Sequence, residues 1–252
     1  MMKFTKALAL AGLAAGFIAT SAPAMAQDAA EPDFSFSGNV AITNDYVFRG
    51  FTQTNEDFAI QGGLDLAHSS GLYVGTWASN VEFGDTDTTI EIDFYGGFKG
   101  TFGNSIFTYD IGAIYYTYPG YTRANGTQEI DYLEGAVKAS KRFDPVTLLG
   151  ALYVSPNFFG RSGTGVYLEG GADVALPLGF TASGRFGYQW IEREPRFGTP
   201  DYATWSGGIS REVVAGVTLA VAYHGTNISR SQCSGGQKIC DDRMVVTLSR
   251  KF

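Results

Sequence analysis

A chain of 252 residues with 33 glycines, 14 tyrosines, 19 phenylalanines and a mean hydropathy of −0.02 is too polar for a bundle of membrane helices. Its formal net charge of −7 argues against nucleic acid as a partner, because phosphates demand clustered Lys and Arg. Residues 1–26 read as a secretory signal: Lys3 and Lys6 form the positive region, 7–19 the apolar run, and Ala24-Met25-Ala26 the small-residue cleavage site. Residues 27–33 then form a short periplasmic segment, and 34–252 the folded domain.

Alternating stretches follow at 34–49, 57–67, 72–83, 89–99, 105–117, 128–141, 146–155, 165–176, 180–191, 202–212, 217–227 and 242–252. The clearest sets Ile90, Ile92, Phe94, Gly96 and Phe98 on one face against Glu91, Asp93, Tyr95, Gly97 and Lys99 on the other, one face suited to lipid and the other to water. Short turns at 68–71, 100–104, 142–145, 177–179 and 213–216 alternate with longer polar connections at 50–56, 84–88, 118–127, 156–164, 192–201 and 228–241. This rhythm predicts an all-β fold, a transmembrane antiparallel β-barrel of about 12 strands with short periplasmic turns and longer external loops. Both termini then lie in the periplasm, and the location is the cell outer membrane. Two aromatic girdles are expected, with Tyr115, Tyr118, Tyr121, Phe158, Phe159, Tyr188, Trp190, Tyr202 and Trp205 near the outer ends and Tyr73, Phe98, Phe102, Phe143 and Phe180 near the turns. The last strand, with Met244, Val246 and Leu248 on one face and Phe252 at its end, has the form of a barrel-assembly signal.

With the apolar face toward lipid, the pore lining comprises Asp65, Glu91, Asp93, Lys99, Asp110, Glu134, Lys138, Glu169, Asp173 and Arg185, together with Gln61, Gln189 and several tyrosines. Acids outnumber bases in that set, so an open lumen should mildly prefer cations. The same groups could instead pair across a narrow barrel and plug it. Cys233 and Cys240 flank Gly235-Gly236 in a polar stretch, a spacing that suggests a disulfide clipping one external loop; free thiols are the alternative.

Histidine is scarce. His68 and Ser70 have a His-x-Ser spacing but fall in a turn, and His224 has no serine at a comparable spacing, so no catalytic residue is assigned. Asp85-Thr86-Asp87-Thr88-Thr89 reads as a solvated acidic loop, and Asn125-Gly126 as a turn. No metal and no cofactor are expected. The expected partners are outer-membrane lipid and lipopolysaccharide, the barrel assembly machinery, and small solutes or ions.

The run Tyr46-Val47-Phe48-Arg49-Gly50-Phe51-Thr52-Gln53-Thr54, followed by Gln61-Gly62-Gly63-Leu64-Asp65 and by Gly71-Leu72-Tyr73-Val74-Gly75-Thr76-Trp77-Ala78-Ser79-Asn80-Val81, resembles the TorF-type porin family of proteobacterial conserved hypothetical proteins. The resemblance implies an exported outer-membrane protein, with no established substrate and no catalytic residues to carry over. Arg250 departs from it, standing where such closing strands keep an apolar side chain. Passive diffusion of small solutes through a porin-like channel is the expected function; a closed structural or adhesive barrel is the alternative, and an outer-membrane lipid hydrolase a more distant one.

Overall fold

The computed structural model describes residues 33–252 except 85–86, 103–106 and 122–129. The signal, most of the 27–33 segment, the Asp85-Thr86 pair, the Asn125-Gly126 turn and residues 103–104 of the 100–104 turn lie outside the described residues. The described strands are β1 (Phe34–Thr43), β2 (Val47–Phe48), β3 (Phe51–Thr52), β4 (Ala59–His68), β5 (Leu72–Asn80), β6 (Ile90–Phe102), β7 (Phe107–Thr117), β8 (Tyr132–Phe143), β9 (Val146–Ser155), β10 (Gly165–Ala175), β11 (Phe180–Ile191), β12 (Tyr202–Val214), β13 (Val217–Thr226) and β14 (Arg243–Lys251). All but β2 and β3 close into a single antiparallel barrel of twelve strands, each paired with its neighbour in sequence, and β1 joins β14 to complete the ring.

Closure follows from the alternation. Phe36, Ile60, Val74, Phe94, Ile111, Val137, Leu168, Phe186 and Met244 are exposed on the outer surface. Such a band suits hydrocarbon, where every backbone amide must find its partner within the sheet and a closed ring leaves no edge unpaired. The seam is short: only Asn39–Thr43 of β1 pair with β14. Phe252 extends it, donating its amide to Gly38 O and accepting from Gly38 N, at 3.0 and 2.8 Å.

The first strand is a correction. It stops at Thr43 rather than 49, and the connection expected outside at 50–56 turns inward as the β2–β3 hairpin, paired only to itself as a sheet. Asn44 ends the ladder. Its amide still donates to Val246 O, but its Oδ1 accepts the Val246 amide at 2.6 Å and its Nδ2 donates to Met244 O at 3.2 Å, so a side chain takes over half of the next backbone pair. Asn80 does the same where the chain re-enters the wall, accepting the Ile60 amide and donating to Phe58 O.

The outer aromatic girdle is corrected too. Tyr115, Trp190 and Trp205 are exposed on the outer face, but Tyr118, Phe158 and Tyr202 are buried inside. Parity explains Tyr202: it shares the inward face of β12 with Thr204, one step out of phase with Trp205. At the opposite end Phe98, Phe102 and Phe143 are exposed, whereas Tyr73 points inward and donates to Asp110 Oδ1 at 2.6 Å.

Candidate functional site: the lumen and its inward hairpin

The ten charged residues expected to line the pore all fall on the inward register, but they divide into two environments. Toward the short turns, Asp65, Lys99, Asp110, Lys138, Glu169, Asp173 and Arg185 are half-buried and stay in contact with solvent. Toward the long loops, Glu91, Asp93 and Glu134 are fully buried.

The solvated half is mostly paired. Asp110 accepts from Tyr73 and lies 3.5 Å from Lys138 Nζ, Asp173 meets Arg185 Nη2 at 2.7 Å, Asp65 accepts from Tyr95 at 2.7 Å, and Glu169 accepts from Tyr167 at 3.0 Å. Lys99 lies 5.3 Å from the centre of the Tyr73 ring. Lys251, absent from the expected lining, also faces inward, so carboxylates and bases balance in this half. The excess acid sits in the buried half.

That half is filled by the hairpin. Val47 pairs with Thr52 and Phe48 with Phe51, leaving Arg49-Gly50 as a two-residue turn with φ of 47° and 85°. Both residues adopt the left-handed conformation of the tight hairpin turn, which Asn, Asp and Gly accommodate best. Glycine is required at 50, where a Cβ would come within 2.3 Å of Thr226 Cγ2. The turn drives Arg49 into the wall. Its Nη1 donates to Glu134 Oε1 at 3.0 Å and to Gln189 Oε1 at 2.9 Å, and its Nη2 donates to Glu134 Oε2 at 2.7 Å. The guanidinium carbon lies 4.4 Å from the centre of the Tyr167 ring and 5.0 Å from that of Tyr153. A planar fork against a carboxylate is the strong form of this contact, and burial removes competing water.

Further contacts fasten the hairpin all round. Tyr46 packs edge-on to Trp77 and donates to Glu91 Oε1 at 3.3 Å; Phe51 stacks on Tyr202 with centroids 4.8 Å apart. Asp45 accepts from the hydroxyls of Thr52 and Thr54 and from Arg243 Nη1 at 2.8 Å. Arg243 Nη2 in turn donates to the carbonyls of Lys238 and Ile239, and Thr52 N donates to Ile239 O. These carbonyls belong to the loop in which Cys233 and Cys240 are bonded to each other, with Cα atoms 6.0 Å apart. Above the hairpin, Phe83, Tyr118, Tyr132, Phe158, Phe159 and Phe197 pack together as an aromatic cap. Glu91 Oε2 and Asp93 Oδ1 are buried without a hydrogen-bond donor among the described residues.

The turn pair keeps its turn role. His68 Nδ1 lies 2.8 Å from Ser70 Oγ and also accepts the Ser70 amide, both residues being partly or fully exposed. His224 faces inward on β13. Sequence reasoning missed Arg49, Asp45, Arg243, Tyr153 and Tyr167. The available signal was the Arg-Gly pair between Val47-Phe48 and Phe51-Thr52, a hairpin pattern inside a stretch taken to be strand and loop.

The fold is similar to that of three solved barrels. The KdgM porin, solved in complex with disordered oligogalacturonate, aligns with a TM-score of 0.57 at 9% identity, covering 86% of this chain and 98% of that one. The NanC porin gives 0.55 at 8%, covering 86% and 99%. An outer-membrane channel from Pseudomonas putida F1 gives 0.53 at 11%, covering 88% and 97%. At such identities the likeness shows a shared architecture. No curated protein sequence matches the chain. The model of one bacterial family of unknown function matches residues 26–252, and the chain therefore belongs to the Gcw_chp family.

Proposed function

We propose that this protein is a porin-like channel of the outer membrane, exported by its N-terminal signal, with both termini in the periplasm and its loop-side half closed by the inward hairpin in the state described. The carrying observation is the contrast within one lumen: solvated, charge-balanced side chains toward the turns, and toward the loops a hairpin seated by buried contacts, the Arg49–Glu134 pair among them. The TorF-type resemblance supports the reading, since its first segment, 46–54, includes the whole hairpin. Cation preference belongs to the buried carboxylates and would appear only with the hairpin displaced. KdgM was solved with an oligogalacturonate, a polyanion; the buried carboxylates here make that class a poor fit. Met244, Val246, Leu248 and Phe252 would serve as the assembly signal, recognised by the barrel assembly machinery, with lipid and lipopolysaccharide around the wall. Deleting Phe252 removes two seam hydrogen bonds and should lower the yield of heat-modifiable barrel in outer-membrane fractions; an unchanged yield would make the ending ordinary.

The density of contacts on the hairpin favours a second reading, a permanently closed structural or adhesive barrel. Planar-bilayer recordings separate the two. Discrete conductance steps from the wild type, or from a variant with 46–54 replaced by a flexible Gly-Ser linker, support the channel. Silence of both, with assembly intact, supports the closed barrel.

A further inference from the structure

The recess that receives Arg49 belongs to the wall. Glu134 comes from β8, Tyr153 from β9, Tyr167 from β10 and Gln189 from β11, so four adjacent strands supply its polar groups and two of its rings, while the hairpin contributes the occupant and the Phe48 ring, 4.7 Å from the guanidinium carbon. Its polar groups are held in place by other contacts. Gln189 Nε2 donates to the carbonyls of Val166 and Trp190 at 3.2 and 3.1 Å, which aims Oε1 at the guanidinium; Tyr116 donates to Glu134 Oε2 at 3.2 Å. Tyr167 is seated by Thr204 and by the absence of a side chain at Gly187, where a Cβ would come within 2.2 Å of the tyrosine oxygen. Carboxylate fork, amide oxygen and two aromatic faces together match the planar, five-donor shape of a guanidinium.

The occupant is held at a conformational cost. A non-glycine residue at φ 47° in a tight hairpin turn is disfavoured relative to Asn or Gly, and Arg brings nothing to the turn itself. Backbone strain of this kind concentrates where a side chain has a task. Across the same half of the lumen, Glu91 Oε2 and Asp93 Oδ1 are buried without a partner among the described residues, so this half holds further acidic groups that Arg49 does not reach.

We infer that this recess is a binding site for solutes carrying a guanidinium group, and that Arg49 occupies it as the chain's own competitor, so that an arriving guanidinium releases the hairpin. The inference rests on the channel reading for its consequence, passage, but not for binding itself. A solute entering the recess makes the contacts that Arg49 gives up, and the shift in population is set by the difference between the two.

The test is calorimetric titration of full-length, heat-modifiable protein in detergent with ethylguanidinium, its neutral isostere ethylurea, and propylammonium. Arg49→Asn empties the recess while supplying a residue the turn favours. It should bind ethylguanidinium at least tenfold more tightly than the wild type does, and at least tenfold more tightly than it binds either comparison compound. Adding Glu134→Gln should abolish that gain. Equal binding by wild type and Arg49→Asn, indifference to Glu134→Gln, or equal binding of propylammonium would each overturn the inference. Should Arg49→Asn not assemble, Arg49→Lys carries the comparison: a single ammonium holds the recess less well than a fork, so ethylguanidinium must bind this variant more tightly than wild type, and equal binding overturns the proposal. Binding by Arg49→Asn without conductance in bilayers would sustain the recess and sink the channel; conductance without binding would do the reverse.

Discussion

The two halves of the lumen are lined from the same strands and by the same residue types, yet they use charge in opposite ways. Toward the turns, Asp173–Arg185 and Asp110–Lys138 keep side-chain exposures between 13 and 29%, and this contact with water limits what each pair contributes. Toward the loops, Arg49–Glu134 and Arg243–Asp45 are enclosed, with side-chain exposures between 1 and 8%. A buried pair is no great source of stability, but removing one partner leaves an unneutralised charge in a poorly polarisable setting. The same chemistry thus acts as lining in one half and as a latch in the other.

The largest expected effect tests that contrast directly. Arg49→Ala strands Glu134 and should cost about 3–5 kcal/mol, whereas Arg185→Ala should cost about 1 kcal/mol or less. The midpoint of the heat-modifiable transition reports both, and equal shifts would erase the distinction between the halves.

The disulfide loop gives a smaller effect. Replacing Cys233 and Cys240 by serine frees a short loop, for which chain entropy suggests about 2–3 kcal/mol. Because Lys238 and Ile239 in that loop hold Arg243 and Thr52, the loss should fall on the hairpin, while the ring of twelve strands persists. Protease accessibility of 44–58 should rise with the heat-modifiable form retained; loss of the barrel itself would show that the loop does more than hold the hairpin. In the unmodified protein both cysteines should resist alkylation until reductant is added.

Glu91→Gln with Asp93→Asn removes two buried carboxylates at nearly constant volume. While the hairpin is seated, reversal potentials should not move. In an Arg49→Asn background cation preference should fall at about 0.1 M salt and the difference should vanish near 1 M, where the screening length is only about 3 Å. Unchanged selectivity at low salt would place the conduction path elsewhere.

The smallest effect lies outside the lumen. The Thr164 amide, 2.7 Å from Glu192 Oε2, holds this exposed loop carboxylate below the usual range. A depressed acid contributes above its unfolded pKa and loses that contribution as pH falls through its folded one. Hydrogen-exchange protection of the Thr164 amide should therefore drop on acidification below the ordinary carboxylate range, with no change in the barrel; protection independent of pH would discard the contact.

Much of this protein was legible from alternation alone. Strands at 146–155 and 180–191 were read to the residue, and the parity of Ile90 to Lys99 placed Glu91 and Asp93 inside, because a period of two leaves a side chain only two faces to choose from. Parity also assigns Tyr73 and Tyr202 inward, whereas their position near strand ends alone points to the girdles. What local pattern could not contain is the path of 44–58. Asn44 ends β1 through contacts to Met244 and Val246, some two hundred residues away, and Arg49 finds its partners 85 and 140 residues further along the chain. Whether that stretch continued as strand, projected as loop or folded into the lumen depended on a recess that exists only once β8 to β11 stand side by side, so tertiary structure alone decided which half of the barrel the hairpin enters.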